Sequence, residues 1–402
     1  MLTVVEALQK IMASATPLDT HKIPIEKALS HVSVKNILAD RSLPPFNRVA
    51  MDGFAVRSTD FKNGAARLRI VGRIQTGVAI KAEIGLGETV QIMTGAPCPE
   101  SADAVVKIEN ATIEGDWVVL NEPKIKPGLN IAPEGEDAPA GKILIRQGTA
   151  LSTAGIAICA SVGLAEVEVY KKPSLRIIST GSEIIPPAAH PLPHQIRDCN
   201  SYTLRTLGRA MDLDVTFLGI GEDETGILGK LIEEGIGADI LILSGGVSMG
   251  EFDHIPGLLA AKGVKKILHN VRVKPGKPLW FGKTAHGGYV FGLPGNPVSV
   301  QTCFKIFVEP LVRKLSGNQA PENYFMHLPL SEELVSKTNR EHYMPGRFSL
   351  HNNQTHIQPV LIRGSGDFAN FEQSHGLIKV PMDINRIDAH TPVEFLPWGE
   401  FW

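Results

Sequence analysis

The chain is predicted to be a multidomain protein of α/β and β type, with a central doubly wound α/β domain, an inserted all-β domain and a C-terminal β domain. Three observations predict this. Its 402 residues exceed one typical hydrophobic core, so about two to four domains are expected. Strand and helix signals alternate through residues 171–320. Residues 40–138 and 321–402 carry short β-type runs punctuated by turn residues instead.

Taken in order, the first ten residues have the apolar spacing of an amphipathic helix. Apolar runs at 68–71, 89–92, 104–107 and 117–120 make the β insertion. Residues 151–163, small and apolar around Ala154, Gly155, Ile156 and Ala157, predict a tightly packed helix leading out of it. A strand at 175–180, a helix at 201–212, a strand at 215–218, a helix at 225–234 and a buried-type strand at 240–243 follow. That order implies a mostly parallel sheet with helices on both faces. Tyr289, Val290 and Phe291 read as a further strand, and residues 298–315 have helical period. Between them Asn296 falls where an N-cap belongs and Pro297 where the first helical residue belongs.

Composition narrows the function classes. Hydrophobic content of 43% and charged content of 20% are those of an ordinary soluble globular protein. A formal net charge of −2 argues against a basic nucleic-acid binder. The N-terminus does not read as a signal peptide, and no window approaches the apolar length of a membrane span. Cys98, Cys159, Cys199 and Cys303 are scattered without CxxC spacing, which suggests a reducing compartment, the cytoplasm by default, and no cysteine-built zinc site. The thirteen histidines form no HxH or HExxH cluster, and no Ser-His-Asp or Cys-His arrangement is evident.

The chemistry-bearing motifs fall at predicted strand ends. Thr180-Gly181-Ser182-Glu183, Ser244-Gly245-Gly246-Val247-Ser248 and Pro294-Gly295-Asn296-Pro297 each follow an apolar run. Open α/β sheets bind ligands at that edge. Lys274 and Lys277 bracket the stiff Pro275-Gly276 turn, and free N–H groups at the Pro297 helix start favour an oxyanion. Either half alone reads as a turn with solvated lysines; together they predict an anion site. Glu183, the pair Glu222-Asp223 and Asp253 are acidic positions on the same edge and suit one or two Mg²⁺ ions, although Glu222-Asp223 also reads as a helix cap.

In this order the motifs resemble the MoeA/gephyrin E-domain family. The resemblance rests on residues 44–56 (Pro44-Pro45-Phe46-Asn47-Arg48-Val49-Ala50-Met51-Asp52-Gly53-Phe54-Ala55-Val56), Met93-Thr94-Gly95-Ala96-Pro97, Gly135-Glu136-Asp137, the three strand-end motifs and Lys274-Pro275-Gly276-Lys277-Pro278. It implies a molybdopterin molybdenumtransferase, which inserts molybdate into adenylylated molybdopterin with Mg²⁺-dependent release of AMP. It also implies an elongated homodimer whose active sites are lined by both subunits. Molybdopterin adenylyltransferase and molybdoenzyme maturation proteins are the implied partners; no nucleic acid or membrane is. The implied domains are 1–39 with 139–170 (linker and helical), 40–138 (β), 171–320 (MogA-like α/β) and 321–402 (β).

The implied catalytic residues are Asp52, Thr94, Glu183, Asp253, Lys274 and Lys277. Those implied to bind substrate are Gly181, Ser182, Gly245, Gly246, Ser248, Pro294, Gly295, Asn296, Pro297, Ser299, Arg347 and Ser365. The implied metal ligands are Glu183, Glu222, Asp223 and Asp253. The chain departs from the family by lacking an arginine before Gly135 (Ala132 stands in that segment), by carrying Asn270 where many members have lysine, and by leaving the third-strand carboxylate to Glu222 or Asp223. The alternative is an altered paralogue or a scaffold on the same fold, which would not need the retained acidic and lysine set.

Overall fold

The computed structural model describes residues 1–77, 83–221, 226–246 and 255–399. The chain falls into two compact units, Ile23–Val167 and the joined segments Met1–Lys22 and Glu168–Trp402. Among the described residues no helix is long and apolar enough to cross a membrane.

The Ile23–Val167 unit is built on a six-stranded sheet. Its order is Ala104–Lys107, Gly53–Val56, Glu88–Ile92, Ala65–Ile74, Trp117–Asn121, Ala111–Glu114. The Ala65 and Glu88 strands run parallel and the other pairs antiparallel. Both faces are covered, as the period of two requires. Ala55 and Val105 join Val49, Val90 and Ile92 on one side, while Phe54, Val56, Ala104 and Val106 pack with Leu68, Val118 and Leu120 on the other. The small apolar run after 150 forms the Thr153–Ser161 helix, whose N-cap Ser152 accepts a hydrogen bond from the Gly155 N–H.

The other unit holds the expected α/β layer. Its strand order is Asp214–Gly221, Ser174–Thr180, Ile240–Ser244, Tyr289–Leu293, Trp280–Lys283, Lys265–His269. The first four are parallel; the last two are antiparallel additions that the sequence reading did not contain. The central strands are buried throughout and alternate between two cores. Ile240 and Ile242 pack with the Val4–Ser14 and Asn200–Ala210 helices through Val4, Ala7, Ile11 and Leu204. Leu241 and Leu243 pack with Leu228 and Ile232 of the Gly226–Gly235 helix and Ile255 and Leu259 of the Ile255–Ala261 helix. The sheet is therefore doubly wound.

The helix predicted over 298–315 is one rod with a widened turn: α-helix at Pro297–Cys303, π-helix at Phe304–Val308 and α-helix again at Glu309–Leu315. Pro310 explains the bulge. Proline lacks an N–H, and its ring crowds the carbonyl four residues back. That carbonyl belongs to Ile306, and the Asn323 side-chain amide donates to it at 3.1 Å. The rod is further held by buried Lys305, whose ammonium donates to Glu309 at 2.9 Å and to the Trp398 carbonyl at 3.0 Å.

A second six-stranded sheet closes the unit. Val273–Lys274, Glu341–His351, Gly376–Val380, Pro392–Pro397 and Met326–Pro329 lie in that order, with Gln354–Pro359 paired to the Glu341 strand. Its first strand comes from the lysine loop: Val273 and Lys274 pair in parallel with Glu341 and His342.

Candidate functional site: a cationic cavity beside the strand ends

The carboxyl ends of three neighbouring parallel strands lie level. Ser179 pairs with Ser244, and Ser244 with Leu293. The edge is tied by side chains. The Thr180 hydroxyl donates to the Ser244 carbonyl at 3.1 Å, and the Gly245 N–H donates to Leu293 O at 3.0 Å. Gly245 has φ +102°, and a Cβ there would lie 2.6 Å from the Thr180 carbonyl, so the close approach needs glycine. Asn200, at the first turn of its helix, donates from Nδ2 to Ser244 Oγ at 3.0 Å and to the Gly295 carbonyl at 2.7 Å. Buried Asp198 accepts from Ser179 Oγ at 2.8 Å and from the Ser201 N–H at 3.0 Å. The sequence reading missed Asp198, just before that helix, and Asn200, its first residue; neither carries a motif.

Gly181, Ser182 and Glu183 follow the Ser174 strand; the Gly181 N–H donates to Gly221 O at 3.2 Å. Glu183 is exposed, and its carboxylate accepts no hydrogen bond among the described residues. Glu222, Asp223, Ser248 and Asp253 lie outside the described residues. Among the described residues no group of three His, Cys, Asp or Glu side chains could hold a metal ion. Of the four expected metal ligands only Glu183 lies among the described residues.

The lysine loop is anchored to the Pro297 rod. Gly276 has φ +110°, and a Cβ there would collide with Cys303 Sγ. The Cys303 thiol, fully buried, has its pKa pushed up by burial. Lys274, Pro275, Gly276, Lys277 and Pro278 form one wall of a cavity of about 420 Å³, with Pro294, Asn296, Ser299 and Ser365 also in its lining. Asn296 does not cap its helix by side chain; its Nδ2 donates to Ser365 Oγ at 2.8 Å, and the Val298 N–H donates to the Ser365 carbonyl at 3.1 Å. The strand end and the C-terminal loop at Ser365 are thereby joined.

Arg340, His342 and Arg363 complete the charged lining. Among the described residues the cavity lining presents Lys274, Lys277, Arg340 and Arg363 and no Asp or Glu. Neither lysine's ammonium group makes a hydrogen bond or ion pair among the described residues, so its charge is available to a ligand. His342 adds none: burial first, then the Lys274 and Arg340 charges, bring its pKa down to about 4. A volume of this size exceeds one tetra-oxo anion and matches a small-molecule site. The sequence reading expected Arg347 here. The structure places Arg347 outside the lining, where its Nε donates to Gln358 Oε1 on the paired strand at 3.1 Å.

In the Ile23–Val167 unit Asp52 and Thr94 meet. Asp52 Oδ1 accepts from the Thr94 N–H at 2.6 Å and from its hydroxyl at 2.7 Å. These bonds, backbone first, hold the exposed Asp52 carboxyl below its usual range, so it is ionised at neutral pH. Ala132, where the family arginine is lacking, faces Arg48 across the strand pair. Asn270, in the other unit, has φ +69°, a left-handed turn conformation that Asn tolerates and Lys does not favour.

Fold and site define a multidomain α/β protein with an appended β sheet and a cationic cavity. Residues 2–163 match the MoeA N-terminal region (domain I and II), residues 176–314 the "Probable molybdopterin binding domain", and residues 327–398 the MoeA C-terminal region (domain IV). The chain is 30% identical to the molybdopterin molybdenumtransferase of Haemophilus influenzae, with 99% of each chain covered. It is 29% identical to that of Staphylococcus aureus over 98% of this chain and 95% of the relative. The molybdopterin biosynthesis MoeA protein of Pyrococcus horikoshii OT3 superposes with a TM-score of 0.84 at 26% identity, covering 99% of this chain and 100% of that one. The chain belongs to the MoeA family.

Proposed function

We propose that the chain is a molybdopterin molybdenumtransferase that takes adenylylated molybdopterin and molybdate, leaves molybdenum on the dithiolene and releases AMP. The observation that carries the reading is the cavity whose described lining holds four cations and no carboxylate. Lys274 and Lys277 hold the molybdate oxygens, and Ser299, Asn296 and Ser365 fix their orientation by hydrogen bonds. The charge that receives the anion is in place before reaction, so positioning and electrostatics do most of the work. A thiolate nucleophile is disfavoured, because burial raises all four thiol pKa values, that of Cys98 to about 11.

Gly181, Ser182, Gly245, Gly246, Gly295 and Pro297, with Ser248, form the edge that receives the pterin and its phosphates. Glu183 would hold Mg²⁺ together with Glu222, Asp223 or Asp253, and bound Mg²⁺ supplies positive charge to pyrophosphate oxygens. Asp52, fixed by Thr94, is the catalytic acid of the Ile23–Val167 unit. A homodimer, a cytoplasmic location suited to free thiols, an adenylyltransferase supplying the substrate and maturation proteins accepting the product belong to the same reading.

The test is a reconstitution of the purified protein with adenylylated molybdopterin, Mg²⁺ and molybdate. Molybdate-stimulated AMP release, abolished in Asp253→Ala, supports the reading. Tight binding without release would turn it into a carrier or scaffold.

A further inference from the structure

Arg340 and His342 belong to no motif of the sequence reading, yet both line the cavity. Arg340 Nη1 donates to the Val273 carbonyl at 3.2 Å, which fixes the guanidinium against the base of the lysine loop. His342 lies opposite Lys274 in the strand pair. Its Nδ1 is 2.8 Å from Ser336 Oγ. Ser336 is 2% exposed, and its hydroxyl has no other side-chain partner among the described residues. A buried hydroxyl that does not donate is costly, so the Ser336 O–H donates to Nδ1 and the ring proton resides on Nε2.

Resting on the transferase reading, we infer that His342 is a neutral N–H donor to the bound oxyanion, that Ser336 is its positioning residue, and that Arg340 supplies fixed charge beside it, so that these residues set the site's affinity for a tetrahedral dianion. The charged groups facing the ring are Lys274 from the paired strand and Arg340 from its own, with Lys277 and Arg363 elsewhere in the lining. All four are cations; burial first, then the Lys274 and Arg340 charges, keep the imidazole neutral in the range where ordinary histidines titrate. A neutral donor accepts a fully deprotonated oxyanion and adds no pH dependence of its own near neutrality.

The experiment is calorimetric titration of the full-length protein with molybdate alone and tungstate alone between pH 6 and 8. Arg340→Ala is expected to weaken binding about tenfold or more, and His342→Phe about fivefold to tenfold, as loss of hydrogen bonds to a charged group implies. His342→Gln, which retains an N–H donor and covers the case of a misfolded Phe variant, is expected to stay within about threefold of wild type. Ser336→Ala is expected to lose several-fold and Ser336→Thr to recover it. In turnover, the molybdate KM rises in these variants while kcat at saturating molybdate holds. Unchanged binding in both Arg340→Ala and His342→Phe overturns the inference. So does wild-type affinity that falls through pH 6.5 as a titrating imidazolium would dictate. Turnover with no binding of either anion sinks the inference and leaves the transferase reading standing; absence of both binding and turnover sinks the two together.

Discussion

The Asp52–Thr94 pair and the cationic cavity treat charge in opposite ways. Asp52 is exposed, but two donors of one residue satisfy its carboxylate, and the result is a fixed, ionised group. Lys274 and Lys277 sit in a walled cavity with their ammonium groups unpaired among the described residues. A polar group already satisfied by its own chain is pre-positioned and gains little from a new partner. One left unsatisfied in a confined space gains the most from a ligand of opposite charge. On the proposed function, the cavity is where binding energy for an oxyanion is concentrated, and the Asp52 pair is a device of orientation.

The comparison breaks if the lysines prove dispensable. Lys277→Ala should raise the molybdate concentration needed for half-maximal AMP release about tenfold to a hundredfold, the scale of one charge-assisted contact. An unchanged requirement in steady-state assays would move the oxyanion site elsewhere.

The next effect is on stability. The folded pKa of His342, about 4, lies below that of a free imidazole, about 6.5. Below pH 6.5 the unfolded chain takes up a proton that the folded chain refuses, so stability rises with pH between about 4 and 6.5 and is flat outside that window. Urea denaturation of wild type should show a loss on the order of 2 kcal/mol across that interval that His342→Gln does not share. Identical profiles would mean that the ring is not held neutral.

Asn323→Ala should cost about 1–3 kcal/mol by leaving the Ile306 carbonyl without its side-chain donor and Arg313 without the Asn323 oxygen. Chemical denaturation measures it, and a negligible change would show that the bulged turn needs no such support. The smallest effect is expected at Thr94→Val. The Asp52 titration, followed by NMR, should move up toward the ordinary carboxylate range while the melting temperature stays put, since the group is exposed. An unmoved titration would show that the Thr94 backbone N–H alone holds the pKa down and that the hydroxyl adds nothing.

Much of the α/β layer was legible because its strands are buried on both faces and read as continuous apolar runs, as Ile240, Leu241, Ile242 and Leu243 do. The Pro-Gly turn and the Asn296-Pro297 helix start were legible because those residues restrict the backbone locally. Gly53 opens a strand, which leaves Met51 and Asp52 in the bend before it. What was not legible depends on long-range pairing. Nothing local says that Val273–Lys274 leaves the α/β layer to pair with Glu341 and His342, yet that pairing brings Arg340 and His342 to the cavity. Arg347 carried the motif-like context, and its position on a strand paired with Gln358 gave it a partner away from the lining. The π-bulge had a visible cause in Pro310, but its repair by Asn323 is tertiary.

The most direct test of the central claim is a crystal of the protein soaked in tungstate, a heavy oxyanion of nearly the size and charge of molybdate, with the metal located by anomalous scattering. The account predicts a peak inside the cavity within hydrogen-bonding reach of Lys274, Lys277 and Ser299. A peak confined to any other part of the molecule, with the cavity empty, would contradict it.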